Sequence, residues 1–487
     1  MNKILLFTAA ALLLVAGSCG RTGHSALDQR QGYDTLVIVS TNDIHARIDN
    51  MPKLAAYVQS QRDSFSRVLL LSAGDLFSGS PVVDQHAERG FPMIDLMNRM
   101  HYAANTVGNH AFDYGQKVLA DRIAQAGFPF LCANADFSAT GLSAAIKPYV
   151  VVPVDGLKVA ILGLLQLDPN GLPSTLPENV DSIVFSNGLA VASGYAALRD
   201  SGHVFIVLSH LGVIDDVQLA LQFPQADVIV GGHSHTTLPA GIDTNNVLIT
   251  QTGAHLKHIG KTTLVLKDGE VVSKKSVLVP TASLIAVDTA MQALVDTYKN
   301  NPDMKRVVGY TTSDITGKSA LGNFITDALA AENRWDMAFT NNGGIRVPAI
   351  PQGRITFEQV YELDPFANRM TAYTMSIDEI KELLKQSYNR SGKLELQISG
   401  AHYTVVRAAA DTTTAAEVLL TDYAGRPLDA RKHYKVGMST YVASTYMPLI
   451  THHDEGTRLA TTTAETLILH LSRHRIKPDT AVRVFVK

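Results

Sequence analysis

Short apolar stretches alternate with candidate helices along the first half of the chain. The predicted strands are Leu36–Ser40, Val68–Ala73, Asn105–Val107, Val204–Ser209 and Val228–Val230. The predicted helices between them are Pro52–Phe65, Pro92–Met100, Gln116–Gln125 and Asn187–Ser201. Short runs of Val, Ile and Leu are typical of buried strands in α/β proteins, so we expect an α/β domain over residues 34–285.

A hairpin is expected to close this domain, because Lys261–Lys267 and Val271–Val279 flank an Asp-Gly turn. The predicted linker covers residues 286–302, with a helix over Asp288–Lys299. The segment Asn300-Asn301-Pro302 breaks that helix and marks the domain boundary.

A second α/β domain is predicted over residues 303–487. Its expected helices are Leu321–Asn333, Ile377–Ser387 and Ala464–Arg473. Two domains are consistent with a chain of 487 residues, which is too long for one compact core. The formal net charge of −3 indicates no broad basic surface, so polymeric nucleic acid is not an expected partner, whereas a small anionic substrate is.

The N-terminus has the pattern of an export signal. Lys3 precedes the apolar segment Ile4–Val15, which is too short to span a bilayer. The following Ala16-Gly17-Ser18-Cys19 resembles the lipobox of bacterial lipoproteins, which implies a signal peptide over 1–19 and an acylated Cys19. Residues 20–33 then form a predicted tether. We expect an exported protein that touches a bacterial membrane only through this lipid, on its periplasmic or surface face; cleavage without lipidation is the alternative.

Residues suited to metal coordination stand at or just after the ends of the predicted strands. They are Asp43, His45, Asp75, Asn109, His210, His233 and His235. Carboxylate, imidazole and amide donors suit a pair of divalent cations, and paired metals suit hydrolysis of phosphate esters. A single Asp-x-His or His-x-His motif is more often a capped turn or a surface feature. The metal site is therefore predicted from the whole ordered set.

The spacing within this set carries further expectations. Asp43 and His45 are two residues apart in a segment predicted to be extended, so both side chains should project to one side, and the same holds for His233 and His235. The two carboxylate oxygens of Asp75 can bridge two cations.

His110 directly follows a predicted ligand, Asn109, and is therefore free to sit beside a substrate phosphate. A helical turn opening here would put Asp113 on the same face as His110, where its carboxylate would orient the imidazole and keep it cationic. A purely structural role for His110 is the alternative. His255 and His258 fall outside the pattern and are interpreted as ordinary packing or surface histidines.

Two segments resemble motifs of the 5′-nucleotidase family of the calcineurin-like metallophosphoesterases. They are Ser40–His45 (Ser-Thr-Asn-Asp-Ile-His) and Gly108–Gly115 (Gly-Asn-His-Ala-Phe-Asp-Tyr-Gly). The resemblance covers nearly all of the chain beyond residue 34. It implies an N-terminal αββα metallophosphoesterase sandwich, joined by a helix to a C-terminal α/β substrate-binding domain.

The resemblance also implies how two divalent ions, Zn, Mn, Fe or Co, would be held. One would be bound by Asp43, His45, Asp75 and His235, and the other by Asp75, Asn109, His210 and His233. Several family members carry Gln or Asn in the place of His235. The family assigns a catalytic dyad to the positions of His110 and Asp113.

In the second domain, Asn341-Asn342-Gly343-Gly344-Ile345-Arg346 is a plain turn or a ligand-binding loop. The resemblance favours the loop, because a similar motif lines the family's nucleotide site, with Asn341, Gly343, Gly344 and Arg346 as contacts. It also implies that Phe366 and Tyr441 sandwich the base. The family's Gly-Gly-Asp-Gly turn, whose Asp contacts the ribose, is replaced by Ser444-Thr445-Tyr446-Met447, and Lys318 is the only candidate for an expected basic residue.

The leading hypothesis is a two-metal phosphohydrolase that releases phosphate from nucleoside 5′-monophosphates or related nucleotides by in-line attack of a metal-bound hydroxide. Alternatives on the same site are hydrolysis of 2′,3′-cyclic nucleotides, nucleotide sugars or another phosphate or sulfate-type ester. A surface binding module with structural metals is the alternative from a different class.

Overall fold

The structure is a computed structural model that describes residues 32–366 and 368–487. The predicted signal peptide, Cys19 and all but the last two residues of the tether lie outside the described residues. Within the described part of the chain, no helix is both long enough and apolar enough to span a membrane.

The N-terminal domain begins with a long buried strand and ends with a hairpin. Its strands are β1 (Tyr33–Thr41), β2 (Val68–Ser72), β3 (Ala104–Thr106), β4 (Phe130–Leu131), β5 (Ala135–Asp136), β6 (Ile146–Lys147), β7 (Tyr149–Val154), β8 (Leu157–Leu165), β9 (Val184–Phe185), β10 (Val204–His210), β11 (Val228–Gly231), β12 (Ile242–Thr244), β13 (Val247–Thr250), β14 (His258–Lys267) and β15 (Glu270–Pro280). Its helices are α1 (Met51–Ser64), α2 (Pro81–Asp84), α3 (Phe91–Arg99), α4 (Gln116–Gln125), α5 (Gly188–Ala192) and α6 (Val213–Gln222).

These elements form a four-layered sandwich. One sheet has the order β15-β14-β1-β2-β3-β4-β6 and the other β12-β13-β11-β10-β8-β7. Leu36 and Ile38 of β1 pack into the core between the sheets, while Val37 and Val39 face the core formed with α1 and α3. Both faces of β1 are therefore buried, which is why its sequence is continuously apolar. The αββα architecture predicted from the resemblance is confirmed.

The topology brings the ends of separate strands together. β1, β2 and β3 run parallel in the first sheet, and β8, β10, β11 and β13 run parallel in the second. The strand ends of the two sheets meet at a hydrogen bond in which the His210 Nδ1–H, at the end of β10, donates to the Ala73 carbonyl, just after β2, at 2.7 Å. The loops that follow these strands therefore share one end of the sandwich.

One predicted helix is wrong in type. The segment Asn187–Ser201 forms the short α5 followed by a 3₁₀ stretch over Ser193–Ser201. The Asn187 side chain caps α5 by accepting from the Ala190 amide. Ser193 and Gly194 then disfavour continuation of an α-helix.

The linker helix α7 (Thr289–Lys299) is capped by the Asp288 carboxylate and packs on α1. The C-terminal domain has helices α8 (Pro302–Lys305), α9 (Gly317–Asn333), α10 (Phe357–Leu363), α11 (Ile377–Asn389), α12 (Thr440–Tyr446) and α13 (Thr463–Arg473). Its strands are β16 (Val307–Thr311), β17 (Ile315–Thr316), β18 (Met337–Asn341), β19 (Ala349–Ile350), β20 (Gly353–Thr356), β21 (Arg369–Met375), β22 (Leu396–Ser399), β23 (His402–Arg407), β24 (Ala415–Thr421), β25 (Tyr434–Ser439), β26 (Thr457–Thr462), β27 (Arg475–Ile476) and β28 (Val484–Val486).

The central sheet of this domain has the order β22-β18-β25-β21-β26. Because β18 and β25 are parallel neighbours, their carboxyl ends lie at the same edge. Asn341 ends β18, and Tyr441 lies in the first turn of α12, directly after β25. Asn341 and Tyr441, two of the predicted substrate contacts, therefore lie on the same side of the domain.

Candidate metal centre and substrate pocket

The predicted ligands lie in tight loops, and most have a left-handed backbone. Positive φ angles are found at Asp43 (50°), His45 (50°), Asp75 (52°), His233 (70°) and His235 (53°). The expectation that the Asp-x-His and His-x-His pairs are extended is therefore wrong, because β1 and β11 end before them. A left-handed non-glycine residue costs about 1–3 kcal/mol, and such residues cluster at functional sites.

Backbone hydrogen bonds join the first two ligand loops. The Asp43 amide donates to the Gly74 carbonyl at 3.1 Å, and the His45 amide donates to the Asp75 carbonyl at 3.0 Å. A third loop approaches so closely that a Cβ at Gly108 would stand 2.2 Å from Asp75 Oδ1. Glycine is therefore required at 108 to bring Asn109 beside Asp75.

One group of ligand atoms gathers around His45. His45 Nε2 lies 3.0 Å from His235 Nε2, and His235 Nε2 lies 3.5 Å from Asp43 Oδ1. Asp75 Oδ2 is 3.9 Å from His45 Nε2, so the same carboxylate also reaches this group. The four residues are those that the family resemblance assigns to one metal.

A second group gathers around His210. His210 Nε2 lies 3.1 Å from Asp75 Oδ2 and 3.3 Å from Asn109 Oδ1. His233 Nδ1 lies 3.2 Å from the same Asn109 oxygen. Asp75 thus stands between the two groups, as a bridging carboxylate would.

Hydrogen bonds fix the tautomers so that the site fits a cation. The His45 Nδ1–H donates to the Ser78 carbonyl at 3.1 Å, and the His210 Nδ1–H donates to the Ala73 carbonyl at 2.7 Å. In the neutral form, each Nε2 then presents a lone pair to its neighbours. At His210 those neighbours are oxygen acceptors, which repel a lone pair unless a proton or a metal ion lies between them. The seven residues therefore fit two divalent ions.

The pKa values of two of the candidate ligands also favour metal binding. Burial lowers the pKa of His233 to about 4 and that of His235 to about 3, so both are neutral and able to bind metal at pH 7. Burial raises the pKa of Asp43 to about 7. Burial also opposes ionisation of Asp75, but His210, His110 and His45 together outweigh it and hold the pKa of Asp75 well below its usual range. At His210 burial acts to lower the pKa, but the Asp75 and Asp43 carboxylates and the hydrogen bond to the Ala73 carbonyl together outweigh it, and the pKa is raised to about 9.

His110 and Asp113 form a close pair on a 3₁₀ turn over Asn109–Phe112. His110 Nδ1 lies 2.6 Å from Asp113 Oδ2. Burial lowers the pKa of His110, but the Asp113 and Asp75 carboxylates more than compensate, and the pKa is raised overall. His110 Nε2 points toward the metal ligands, 4.0 Å from Asp75 Oδ2. The helical turn expected from the spacing of the two residues is present.

Two residues that support this pair are not evident in the sequence. Thr175 Oγ1 donates to Asp113 Oδ1 at 3.1 Å, and Asn179 Nδ2 donates to the Asp113 carbonyl at 3.4 Å. Both lie in the long loop after β8, where no motif marks them. His255 also lies nearer the site than its interpretation as an ordinary histidine implies. Its ring centroid is 5.6 Å from that of His45, and its amide donates to the Asp43 carbonyl at 2.8 Å.

The C-terminal domain closes a cavity of about 240 Å³ over this centre. The predicted substrate contacts that line it are Asn341, Gly343, Gly344, Arg346, Phe366 and Tyr441. Every one of the substrate residues predicted in this domain therefore faces the metal ligands. The lining also includes Asp75, Asn109, His110, Asp113, His233 and His235.

Arg346 and Phe366 are stacked above His110. The Phe366 and His110 rings are 5.6 Å apart with 22° between their planes, and the Arg346 guanidinium lies 5.4 Å from the Phe366 centroid. Arg346 Nη2 is buried without a hydrogen-bond partner among the described residues. A buried guanidinium with an unused N–H beside a metal centre is suited to an anionic oxygen.

Further contacts support Tyr441 and the Gly343–Gly344 loop. The Tyr441 hydroxyl is 3.1 Å from Ser174 Oγ. Lys318 does not line the cavity: its Nζ donates to the carbonyls of Asn342 and Ile345 and so holds the Gly-Gly loop in place. Lys318 is therefore a support for the loop, and not the basic contact that the resemblance suggested.

A model of the calcineurin-like phosphoesterase family matches residues 36–237, and a model of the 5′-nucleotidase C-terminal domain matches residues 301–446. The chain belongs to the 5′-nucleotidase family. This confirms the family predicted from the sequence and, with it, membership in a class of metal-dependent phosphoester hydrolases.

The family relatives cover the two domains together. Trifunctional nucleotide phosphoesterase protein YfkN of Bacillus subtilis is 30% identical over 77% of this chain, which spans only 29% of that protein. Snake venom 5′-nucleotidase of Crotalus adamanteus is 26% identical over 86% of this chain and 83% of its own length. The crystal structure of a 5′-nucleotidase precursor from Thermus thermophilus is 27% identical, with a TM-score of 0.81, 93% of this chain covered and 99% of that chain.

This 5′-nucleotidase family member departs from the family pattern beside Tyr441. The segment Ser444–Met447 completes α12 and starts a 3₁₀ turn, so no glycine-rich loop follows the aromatic residue. Among the described residues, the carboxylates that line the cavity are Asp75 and Asp113, both on the metal side. The described residues of the C-terminal domain therefore contribute no carboxylate to the cavity.

Proposed function

We propose that the chain is a two-metal phosphohydrolase that releases phosphate from nucleoside 5′-monophosphates or related nucleotides. The observation that carries this proposal is the convergence of seven candidate metal ligands, four of which line a cavity that Arg346 and Phe366 also line. Names of relatives that include 5′-nucleotidase and nucleotide phosphoesterase support the same substrate class.

The metal ligands fall into two groups that share Asp75. Two divalent ions held there would supply Lewis acidity and an activated water for attack at phosphorus. The chain's own residues prepare the other partners. Arg346 binds a non-bridging phosphate oxygen through its unpaired N–H, and the Gly343–Gly344 backbone permits close approach of the phosphate ester.

His110 acts on the leaving group. As the new bond from water to phosphorus forms, the bond from phosphorus to the 5′-oxygen breaks, and that oxygen needs a proton. The Asp113 carboxylate accepts from Nδ1–H, which leaves Nε2–H directed toward the cavity as the donor. The raised pKa of His110, caused by the Asp113 and Asp75 carboxylates against the effect of burial, favours retention of this proton.

Phe366 and Tyr441 are proposed to bind the base. Stacking on an aromatic face tolerates every base, so we expect weak discrimination among nucleotides. The missing ribose carboxylate favours a second candidate on the same centre: cyclic nucleotides, nucleotide sugars or other phosphate or sulfate-type esters. A 2′,3′-cyclic nucleotide has no free ribose diol, and a simple phosphate or sulfate-type ester has no ribose.

Phosphate release from a panel of esters tests the proposal. We expect release from AMP, GMP, CMP and UMP that stops with a chelator and returns with Zn²⁺, Mn²⁺ or Co²⁺. Equal rates on AMP and glycerol phosphate would remove the nucleotide preference. Binding of a partner without hydrolysis of any ester would favour a surface binding module with structural metals.

We also propose that the enzyme is exported and anchored by a lipid on Cys19. The apolar Ile4–Val15 segment and the lipobox-like residues before Cys19 support this. Metabolic labelling with a radioactive fatty acid tests it: the wild-type chain should be labelled and Cys19→Ser should not. A labelled Cys19→Ser chain, or an unlabelled wild type, would contradict lipidation at this position.

A further inference from the structure

Glu332, His470 and His474 form a compact cluster on the C-terminal domain, outside the catalytic cavity. Glu332 lies near the end of α9, His470 lies in α13, and His474 immediately follows α13. The two helices pack against each other. His474 has an extended backbone just after the helix, and its ring centroid lies 4.5 Å from that of His470.

The distances within the cluster suit one metal ion. Glu332 Oε1 lies 3.0 Å from His470 Nδ1 and 3.7 Å from His474 Nε2, and one ligand atom from each residue lies within 4.8 Å of the others. Ligands about 2.1 Å from a tetrahedral zinc ion are separated by roughly 3.4 Å. The two distances from Glu332 Oε1 are therefore close to those that such an ion requires.

A simple ion pair accounts for only part of this arrangement. His470 and Glu332 are at hydrogen-bond distance, but His474 at 3.7 Å is not. His474 nevertheless directs Nε2 at the same oxygen, with its ring 4.5 Å from that of His470. The other Glu332 oxygen accepts from Arg473 Nη1 at 2.7 Å, which orients the carboxylate and leaves Oε1 for the cluster.

The cluster opens to solvent on the side where a tetrahedral ion would have its fourth ligand. His470 and His474 line a surface pocket of about 220 Å³, together with Asp327 and Asp479. Both of these carboxylates are paired with Arg483, at 2.6 to 2.7 Å. Water is therefore the expected fourth ligand, and the half-exposed side chain of His474 gives an entry path from solvent.

We propose that Glu332, His470 and His474 form a third metal site, for a borderline divalent cation such as Zn²⁺. Zinc and similar divalent transition metals bind well to two imidazoles and one carboxylate, whereas Ca²⁺ and Mg²⁺ prefer sites made only of oxygen ligands. Because the ligands come from α9 and from the end of α13, the ion would join the two helices and stabilise this domain. The site is independent of the proposed hydrolysis.

Zinc content after equilibrium dialysis of the full chain tests the proposal. His474→Gln should bind one zinc ion fewer per chain than the wild type and keep its rate of phosphate release, because the side chain is half-exposed and outside the catalytic cavity. His433→Gln, a change at an exposed histidine elsewhere in the domain, should retain the wild-type zinc content. The catalytic-site variant Asp75→Asn should lose catalytic metal. The double variant Asp75→Asn/His474→Gln should bind one zinc ion fewer per chain than Asp75→Asn alone.

Melting curves provide a second reading that does not depend on metal counting. Added zinc should raise the melting temperature of the Asp75→Asn chain and not that of the Asp75→Asn/His474→Gln chain. Equal zinc content and equal shifts with and without His474→Gln would overturn the proposal and leave the cluster as an ion-pair network. Failure of phosphate release in every variant would bear on the catalytic proposal alone.

Discussion

His110 Nδ1 lies 2.6 Å from Asp113 Oδ2, while the Nε2 of the same ring lies 4.0 Å from Asp75 Oδ2. The imidazole is thus held by one acid and directed by it toward the metal ligands. Since Asp113 is itself bound by Thr175 Oγ1, the geometry of the pair is set from two directions.

His110→Ala is expected to keep both catalytic metals but to lose most of its turnover, by about 10²–10⁴-fold, because general acid catalysis typically contributes that much. Metal content and kcat for AMP are the measurements. Loss of metal in this variant, with activity restored at high metal concentration, would show that His110 is a ligand and contradict the role assigned to it.

Asp113→Asn should shift the basic limb of the pH–rate profile to lower pH. Burial lowers the pKa of His110 and Asp113 raises it, so removal of the Asp113 charge leaves burial less opposed. The imidazolium is then lost at a lower pH than in the wild type. Thr175→Val, which removes a hydrogen bond to Asp113 without changing charge, should lower kcat with a smaller shift of this limb. An unchanged profile in Asp113→Asn would argue against coupling of the pair.

Gly108→Ala should abolish metal binding, although it adds only a methyl group. That methyl would stand 2.2 Å from Asp75 Oδ1, in the centre of the two ligand groups. Gly141→Ala is the matched control, because nothing lies within 4 Å of a Cβ at that position and its φ is not in the left-handed region. Normal metal content in Gly108→Ala would mean that the loops are not packed as tightly as the distances indicate.

Phe366→Ala is expected to raise the KM for nucleotides by about 5- to 160-fold, since stacking of one base on an aromatic ring contributes roughly 1–3 kcal/mol. The KM for glycerol phosphate, which has no base, should change little. Parallel measurement of both substrates separates base stacking from a general effect on the centre. Equal losses for the two would place Phe366 in support of His110, on which its ring lies.

The convergence of the candidate ligands could be predicted from the sequence because metal ligation restricts both residue type and position. Asp75 and His210 sit at ends of buried strands, where apolar runs and a polar residue are easy to distinguish. The backbone of the ligand loops is not predictable in the same way. Left-handed Asp43 and His45 depend on hydrogen bonds to a loop that is distant in sequence.

Supporting residues are the least accessible to sequence reasoning. Thr175 and Asn179 occur in a loop without a motif, and their contacts arise only when that loop folds over Asp113. His255 reaches the centre because its own left-handed loop bonds back to Asp43. Lys318 precedes the predicted helix Leu321–Asn333, yet α9 begins at Gly317 and places it under the Gly-Gly loop.

The position of bound metal tests the central claim most directly. Crystals of the Mn²⁺- or Zn²⁺-loaded protein, measured at the absorption edge of the metal, should show two anomalous peaks about 3.5–4 Å apart. One peak should lie among Asp43, His45 and His235, the other among Asn109, His210 and His233, with Asp75 between them. A single peak, or two peaks that do not share Asp75, would contradict a binuclear centre.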